Sequence, residues 1–185
     1  WALGLFRRDS HRPAAYLNIL LTLVAFIHGS LVLRDVMAAG PTVLTFPWLN
    51  VGDLNLEISF SLSLSNVSAL ELITGLSFFS QLYSLGYLDK EWALARFFAL
   101  LGFFEGAMSG VVLSDSLFQS YFLLEMLTLS TYLLVGFWYA QPLVVTAARD
   151  AFLTKRVGDV MLLMAMVALA TWSGVTSFDD VYAWS

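Results

Sequence analysis

Ionisable side chains set inside apolar runs are the feature of this sequence with the most chemical content. In FLLEMLTLSTYLLVGFWYAQP, residues 122–142, one carboxylate stands among side chains suited to lipid. Five residues share this kind of setting: Glu125, Glu105, Glu71, Asp159 and His28. A charge at the centre of a membrane helix costs roughly 2.5–3.5 kcal/mol, so such residues face a protein interior and mark a pathway or a pair. A desolvated carboxyl can exchange protons near neutral pH, and the pattern therefore predicts proton-relay sites.

Glu125 is the first of these candidates. It lies eight residues from the start of its apolar run, which is about 12 Å along a helix axis and near mid-membrane. The residues that follow it supply hydroxyl groups, as a hydrated cavity would: Thr128, Ser130, Thr131 and Tyr132. We therefore expect Glu125 to act in a relay; a carboxyl kept protonated for helix packing is the alternative.

Three further candidates have competing explanations. Glu105 lies mid-span within FFEGAMSG, whose small residues form a helix-packing face, so its acid is either a relay residue or a partner-facing site. Glu71 lies about one turn inside the end of its span, where a solvated interfacial acid is expected. His28 could shuttle protons at physiological pH, but a single His near a span end is more often a structural hydrogen-bonding group.

Arg156 and Asp159 lie at the entrance to the last apolar run. Their i, i+3 spacing puts both side chains on one face of a helix, where they can form an ion pair. The position of Lys155 and Arg156 just before this apolar run is explained by the usual excess of basic residues on the cytoplasmic side. Topology does not account for an acid inside the span, so Asp159 joins Arg156 and Glu125 in the predicted relay.

Composition identifies the solvent around these residues. Hydrophobic residues make up 59% of the 185-residue chain, charged residues 12%, and mean hydropathy is +0.77, whereas soluble domains carry about 25% charged residues. The chain is therefore expected to be an integral membrane protein in a lipid bilayer. It contains no Cys, which excludes disulfides and thiolate-bound metals or clusters, and no basic stripe suggests nucleic-acid binding. Because it starts with WALGLFRRD rather than Met, with an apolar end before its arginines, we expect a fragment of a longer protein.

Five apolar segments are long enough to span a bilayer as helices, which takes about 20 residues each. They cover residues 14–34, 67–88, 96–114, 117–140 and 157–175. The alternating segment 41–65 predicts an extra-membrane β-hairpin with its turn near Asn50 to Asp53. Residues 141–155 show helical spacing between charges and are predicted to lie along the membrane interface. The expected fold is an all-α membrane domain with one small hairpin.

Basic residues orient these spans. Threading five spans through the bilayer puts eight Lys and Arg residues on one side and only Arg34 on the other. The side with the excess is cytoplasmic, which puts the hairpin on the opposite, lumenal side.

Four blocks of the sequence resemble one known family. EMLTLSTYLLVGFWY at 125–139 resembles the W-E-x-x-G-L-x-S-Y-L-L-I-G-F-W segment of the large antiporter-like subunit of complex I and of its photosynthetic relative, subunit 5 of NAD(P)H-quinone oxidoreductase. LYSLGYL at 82–88, RFFAL at 96–100 and KRVGD at 155–159 resemble further segments of that family, in the same order. The resemblance covers about the last hundred residues; the first sixty match only in outline.

The resemblance implies a proton-translocating membrane-arm subunit with about five antiporter-like transmembrane helices. It implies that this chain binds no cofactor, and that plastoquinone, iron–sulfur clusters and the electron donor belong to other subunits. The residue that matches Glu125 pairs, in the family, with a lysine on a later span outside these residues. Arg156 and Asp159 match the cytoplasmic end of the same unit, and the expected partners are neighbouring antiporter-like subunits.

Departures from the family pattern suggest a particular variant. Gln81 replaces the family's His, and acids stand at Glu71 and Glu105 where the pattern is generally apolar. This combination is most similar to the cyanobacterial variants of the family found in thylakoid complexes that take up and hydrate CO2. We hypothesise that Glu105 links a cytoplasmic CO2-hydrating partner to the relay at Glu125. The alternatives are a subunit of an Mrp-type cation/proton antiporter and a membrane scaffold that docks such a partner.

Overall fold

A computed structural model describes residues 12–51, 54–88, 91–174 and 177–184 of the chain. In chain order, the elements are α1 (Arg12–Ala39), β1 (Thr42–Val51), β2 (Leu54–Leu62), α2 (Leu64–Tyr87), α3 (Leu94–Leu113), α4 (Leu117–Val135), α5 (Pro142–Ser173) and α6 (Phe178–Trp184). The fold is mainly helical, as the sequence predicts.

Local signals start and end two of the longer helices. Ser63 caps α2, because its side chain accepts a hydrogen bond from the backbone N–H of Asn66 at 3.2 Å. Pro142 opens α5, where a missing N–H leaves no helical bond unmade. Gly174 ends α5 with a φ of 73°, a left-handed conformation that favours glycine.

Helices that follow one another in the chain from α1 to α5 pack together, and the first three also contact one another mutually. Helix α1 packs on α2 and α3, α3 packs on α4, and α4 packs on α5. The densest apolar cluster joins the first three helices: Ala15, Ile19, Leu88, Leu94 and Phe98. Many other large apolar side chains are exposed, including Leu143 at 82% and Trp172 at 78%. Such a surface suits lipid or other membrane helices.

The predicted hairpin is confirmed. Strands β1 and β2 pair antiparallel from Thr42 opposite Leu62 onward, with an irregularity between Pro47 and Leu49. The centre of its predicted turn, 52–53, lies outside the described residues. The backbone N–H of Ser59 in β2 donates to Gln119 Oε1 of α4 at 2.9 Å, so the hairpin is tied to the helix that carries Glu125.

Three helices in the described ranges are long and apolar enough to cross a membrane: α1, α3 and α4. Helices α2 and α5, which correspond to the other two predicted spans, have 24 and 32 residues but are not among them. Five membrane crossings therefore remain a prediction.

Two boundaries differ from the sequence-based division. Helix α4 ends at Val135, whereas the sequence predicts a span to residue 140. Helix α5 runs unbroken through both the predicted interfacial segment 141–155 and most of the predicted span 157–175. A change from amphipathic to apolar sequence does not interrupt backbone hydrogen bonding, and no proline lies inside α5 beyond its first residue.

Candidate functional site

Glu125 accepts hydrogen bonds on both carboxylate oxygens. The Tyr121 hydroxyl donates to Oε1 at 2.7 Å, and the Arg156 guanidinium donates to Oε2 in an ion pair. The Glu125 side chain is 18% exposed and that of Arg156 38%. Two donors, one of them charged, hold this carboxylate where α4 meets α5.

Helical spacing assembles this group from two elements. Tyr121 and Glu125 lie four residues apart on α4, which places them one turn apart on one face. Arg156 comes from α5, where its guanidinium also stacks over the Phe152 ring at 4.8 Å. Asp159 follows Arg156 by three residues on α5, which places it about one turn away on the same face. We call Tyr121, Glu125, Arg156 and Asp159 the Glu125 cluster.

Within the described residues, Arg156 and Asp159 do not form the ion pair that their spacing allows. The partner predicted for Arg156 is therefore wrong. Arg156 pairs with Glu125 across the helix interface instead. Asp159 Oδ2 is buried and has no hydrogen-bond partner within the described ranges. An i, i+3 spacing allows a pair without requiring it, and the position of α4 against α5 offers Arg156 a different carboxylate.

The hydroxyl groups that follow Glu125 do not reach its carboxylate. Thr128 donates to the Leu124 carbonyl at 2.9 Å and Ser130 to the Leu127 carbonyl at 2.8 Å. Thr131 donates to the Thr128 carbonyl at 2.7 Å. These hydroxyls donate to the backbone of α4 rather than to Glu125. Thr128 and Thr131 also line a cavity of about 170 Å³ together with Tyr132 and Lys155, and a hydrated lining around Glu125 stays a prediction.

Glu105 is the centre of a second polar group, which joins three helices. Its Oε2 accepts from the Thr22 hydroxyl of α1 at 2.8 Å and from Gln81 Nε2 of α2 at 3.0 Å. Gln81 Nε2 also donates to Thr22 Oγ1 at 2.8 Å, and Gln81 Oε1 accepts from Asn18 Nδ2 at 3.1 Å. Gln81 is fully buried, and Thr22 and Glu105 are 4% and 7% exposed. We call these four residues the Glu105 network.

A cavity of about 780 Å³ adjoins the Glu105 network. Residues from α1, α2, α3 and both strands line it, among them Glu105 and His28. His28 itself is exposed. Glu71 is part-exposed and accepts a hydrogen bond from Ser30 at 2.9 Å, while its Oε1 is buried without a partner in the described part of the chain. The structure thus pairs Glu125 with Arg156, with Asp159 one turn further along α5, and groups Glu105 with different residues.

Several of these residues were not among the sequence-based candidates. Tyr121 was absent from them, although its i, i+4 spacing from an intramembrane Glu was a usable signal. Thr22 and Asn18 had no such signal, because their contacts depend on how α1 packs against α2 and α3. Gln81 stood out only as a departure from the family pattern.

No cluster of three or more His, Cys, Asp or Glu side chains in the described ranges is arranged to hold a metal ion. The groups that do meet are carboxylates, a guanidinium, a phenol, an amide and a hydroxyl. Their arrangement suits the holding and transfer of protons.

Two family models match the chain. One, described as "NADH-Ubiquinone oxidoreductase (complex I), chain 5 N-terminus", matches residues 48–98. The other, described as "NADH:quinone oxidoreductase/Mrp antiporter, TM", matches residues 114–184. The second match contains the whole Glu125 cluster.

Curated relatives extend the match over the whole chain. NAD(P)H-quinone oxidoreductase subunit 5, organellar chromatophore 2, of Paulinella chromatophora is 71% identical over 100% of this chain and 30% of its own length. The chromatophore 1 protein of the same organism is 32% identical over 91% of this chain and 25% of its own length. The chloroplast subunit 5 of Aethionema grandiflorum is 31% identical over 95% of this chain and 24% of its own length. The chain spans about a third or less of each of these relatives.

Solved structures share the fold at low sequence identity. A chain of the Mrp complex from Dietzia sp. DQ12-45-1b superposes with a TM-score of 0.73 at 22% identity, covering 94% of this chain and 18% of that one. A chain of the archaeal membrane-bound sulfane sulfur reductase superposes with a TM-score of 0.76 at 14% identity, covering 90% of this chain and 34% of that one.

The two family models and the relative that is 71% identical agree. The chain belongs to the family of antiporter-like membrane subunits that includes subunit 5 of NAD(P)H-quinone oxidoreductase.

Proposed function

We propose that this chain is part of a proton-translocating membrane-arm subunit of a complex I-like NAD(P)H-quinone oxidoreductase. The main support for this proposal is the Glu125 cluster, in which Glu125 on the apolar helix α4 forms an ion pair with Arg156 on α5. An intramembrane carboxylate held by a cation and a phenol is costly to keep for packing alone, and such groups mark proton paths.

The cluster can couple a change of shape to a change of protonation. In this proposal Glu125 is ionised while Arg156 and Tyr121 donate to its carboxylate. A movement of α5 relative to α4 that withdraws Arg156 leaves a desolvated carboxylate, which then takes up a proton. The reverse movement expels that proton. Asp159 on α5, whose Oδ2 atom is buried without a hydrogen-bond partner in the described ranges, is the second carboxyl available to the cluster.

Redox chemistry belongs to other subunits in this proposal. The chain supplies no Cys for an iron–sulfur cluster, and plastoquinone and the electron donor are assigned to neighbouring subunits. The chain's contribution is to hold and release protons in response to that chemistry. Its partners are the lipid bilayer and the adjoining membrane subunits.

The test is Glu125→Gln in the full-length subunit within the assembled complex. We expect proton translocation to fall at least tenfold per quinone reduced, because an amide cannot exchange the proton. Glu91→Gln is the matched control, since Glu91 lies in the loop between α2 and α3 and not on the two helices that carry the cluster. Undiminished translocation in Glu125→Gln, with normal assembly, would reject the proposed role.

An Mrp-type antiporter subunit is the second candidate. It is supported by the family model that names Mrp antiporters and by the fold shared with a chain of the Mrp complex. Quinone-driven proton uptake into vesicles supports the first candidate, whereas sodium/proton exchange without a quinone reductant supports the second.

We further propose that the subunit belongs to a thylakoid complex of the CO2-uptake type. Two departures from the family pattern, Gln81 and Glu105, contact each other directly, so they form one altered site. Identity of 71% to the chromatophore 2 protein against 32% to the chromatophore 1 protein also supports a separate subgroup. In this proposal Glu105 receives the proton that a cytoplasmic CO2-hydrating partner releases. Unchanged CO2 uptake in Glu105→Gln would reject it and would favour a scaffold role.

A further inference from the structure

The two oxygens of the Glu105 carboxyl have different surroundings. Oε2 accepts two hydrogen bonds, from Thr22 and Gln81. None of the hydrogen bonds within the described part of the chain reaches Oε1. The Glu105 carboxyl, which includes Oε1, lines the cavity of about 780 Å³ between α1, α2 and α3. The oxygen without a donor therefore belongs to a carboxyl that borders open space.

The direction of every hydrogen bond in the network follows from its partners. Asn18 Nδ2 donates to Gln81 Oε1, which fixes the orientation of the Gln81 amide and turns Nε2 toward Thr22 and Glu105. A side-chain amide has two N–H donors, and both are used. The Thr22 oxygen accepts one of them, so its single hydrogen is available for Glu105 Oε2. Oε2 is therefore confined to the role of acceptor.

We propose that Thr22 and Gln81 are positioning residues that reserve Glu105 Oε2 as an acceptor and direct the exchangeable proton to Oε1. Uptake forms the Oε1–H bond with a proton delivered through the cavity, and release breaks that bond by the same route. Helices α1 to α3 then hold a proton-exchange site of their own, separate from the Glu125 cluster. The inference deepens the proposed function by assigning one oxygen atom and two supporting side chains to proton exchange at Glu105.

The test uses infrared spectra of the assembled complex with the full-length subunit, recorded at rest in H2O and after exchange into D2O. The carboxyl C=O band that shifts on exchange and is missing in Glu105→Gln belongs to Glu105. With the proton on Oε1, the C=O oxygen is Oε2, so its frequency reports the donors from Thr22 and Gln81. Thr22→Val removes one donor at nearly constant volume, and the band is expected to move to higher frequency. Thr22→Ser retains the donor and is expected to restore the original band.

Thr74→Val is the matched control. Thr74 lines the same cavity and is 3% exposed against 4% for Thr22. Its hydroxyl instead contacts the carbonyls of Leu70 and Glu71 at 3.0 and 3.3 Å. Its substitution should therefore leave the Glu105 band unchanged.

Three results would overturn the inference: an unmoved band in Thr22→Val, an equal movement in Thr74→Val, or the absence of any exchangeable Glu105 carboxyl band. Gln81→Leu provides a second variant if Thr22→Val fails to assemble, and it is expected to move the band in the same direction. These spectra need no turnover, so they would not change if proton translocation through Glu125 failed. Failure of this inference can therefore be distinguished from failure of the proposed function.

Discussion

Removal of Arg156 tests whether the ion pair with Glu125 is the working contact of the α4–α5 interface. The perturbation is a double-mutant cycle of Glu125→Gln and Arg156→Gln in the full-length subunit within its complex. If the two side chains act through each other, the second substitution adds little to the first. Independent residues would multiply their effects instead.

The expected coupling follows from the burial of the pair. A hydrogen bond to a charged group contributes about 1.5–3 kcal/mol. The Arg156 side chain is 38% exposed and that of Glu125 18%, so solvent screening reduces the coupling to about 1–2 kcal/mol. At about 1.4 kcal/mol per factor of ten, this corresponds to a roughly 5- to 30-fold departure from multiplicative losses in translocation rate.

The assay is the initial rate of proton translocation into sealed vesicles, normalised to quinone reduction. Arg149→Gln is the control for loss of a basic charge on the same helix. Arg149 lies about two turns before Arg156 on α5. It pairs with its neighbour Asp150 at 2.9 Å and has a 60% exposed side chain. We expect the translocation rate of the Arg149→Gln complex to stay close to that of the unmodified complex.

Two outcomes would contradict the reasoning. If the losses from Glu125→Gln and Arg156→Gln multiplied in the double variant, the pair would not be the coupled unit. An equal loss in Arg149→Gln would show that positive charge on α5, rather than the contact with Glu125, controls the rate.

Two further predictions concern neighbours of this pair. Tyr121→Phe removes the donor to Glu125 Oε1 and keeps the ring. Because this is also a hydrogen bond to a charged group, screened as for Arg156, a loss of about 1–2 kcal/mol should lower the translocation rate by about 5- to 30-fold. Tyr132→Phe, whose ring packs against Phe152, should leave the rate unchanged, and equal losses in the two variants would refute the prediction. Gln119→Leu leaves the Ser59 N–H without its acceptor at a cost of about 1–3 kcal/mol. Hydrogen exchange of the β2 backbone should therefore become faster, whereas exchange in α5 should not change. Gln141→Leu is the control, because the Gln141 side chain is exposed and makes no capping bond. Unchanged exchange in β2 of Gln119→Leu would refute the role of the Ser59–Gln119 hydrogen bond.

Features that depend on neighbours in the chain were predicted well from the sequence. The alternation in 41–65 identified the hairpin, because a strand repeats its side-chain faces every two residues. Apolar runs located the five long helices. The boundary predictions were weaker: the end of α4 was placed five residues late, and the short helix α6 was not predicted.

The candidate site shows the same division. Sequence reasoning selected Glu125, Arg156 and Asp159 because an ionisable residue in an apolar run is costly wherever its helix lies. It paired Arg156 with Asp159, its neighbour on the same helix, whereas the structure pairs Arg156 with Glu125. It did not predict that the hydroxyls after Glu125 donate to carbonyls of their own helix.

Composition and periodicity were sufficient to establish a helical membrane protein, its hairpin and the residues too costly to be incidental, since each of these follows from local sequence and the bilayer. The partner of each costly residue depends on how helices distant in sequence rotate and pack. That packing joined Glu125 to Arg156 across 31 residues and Glu105 to Thr22 across 83. It also left one Glu105 oxygen without a described donor beside a cavity, a difference between two atoms of one side chain that no sequence pattern encodes.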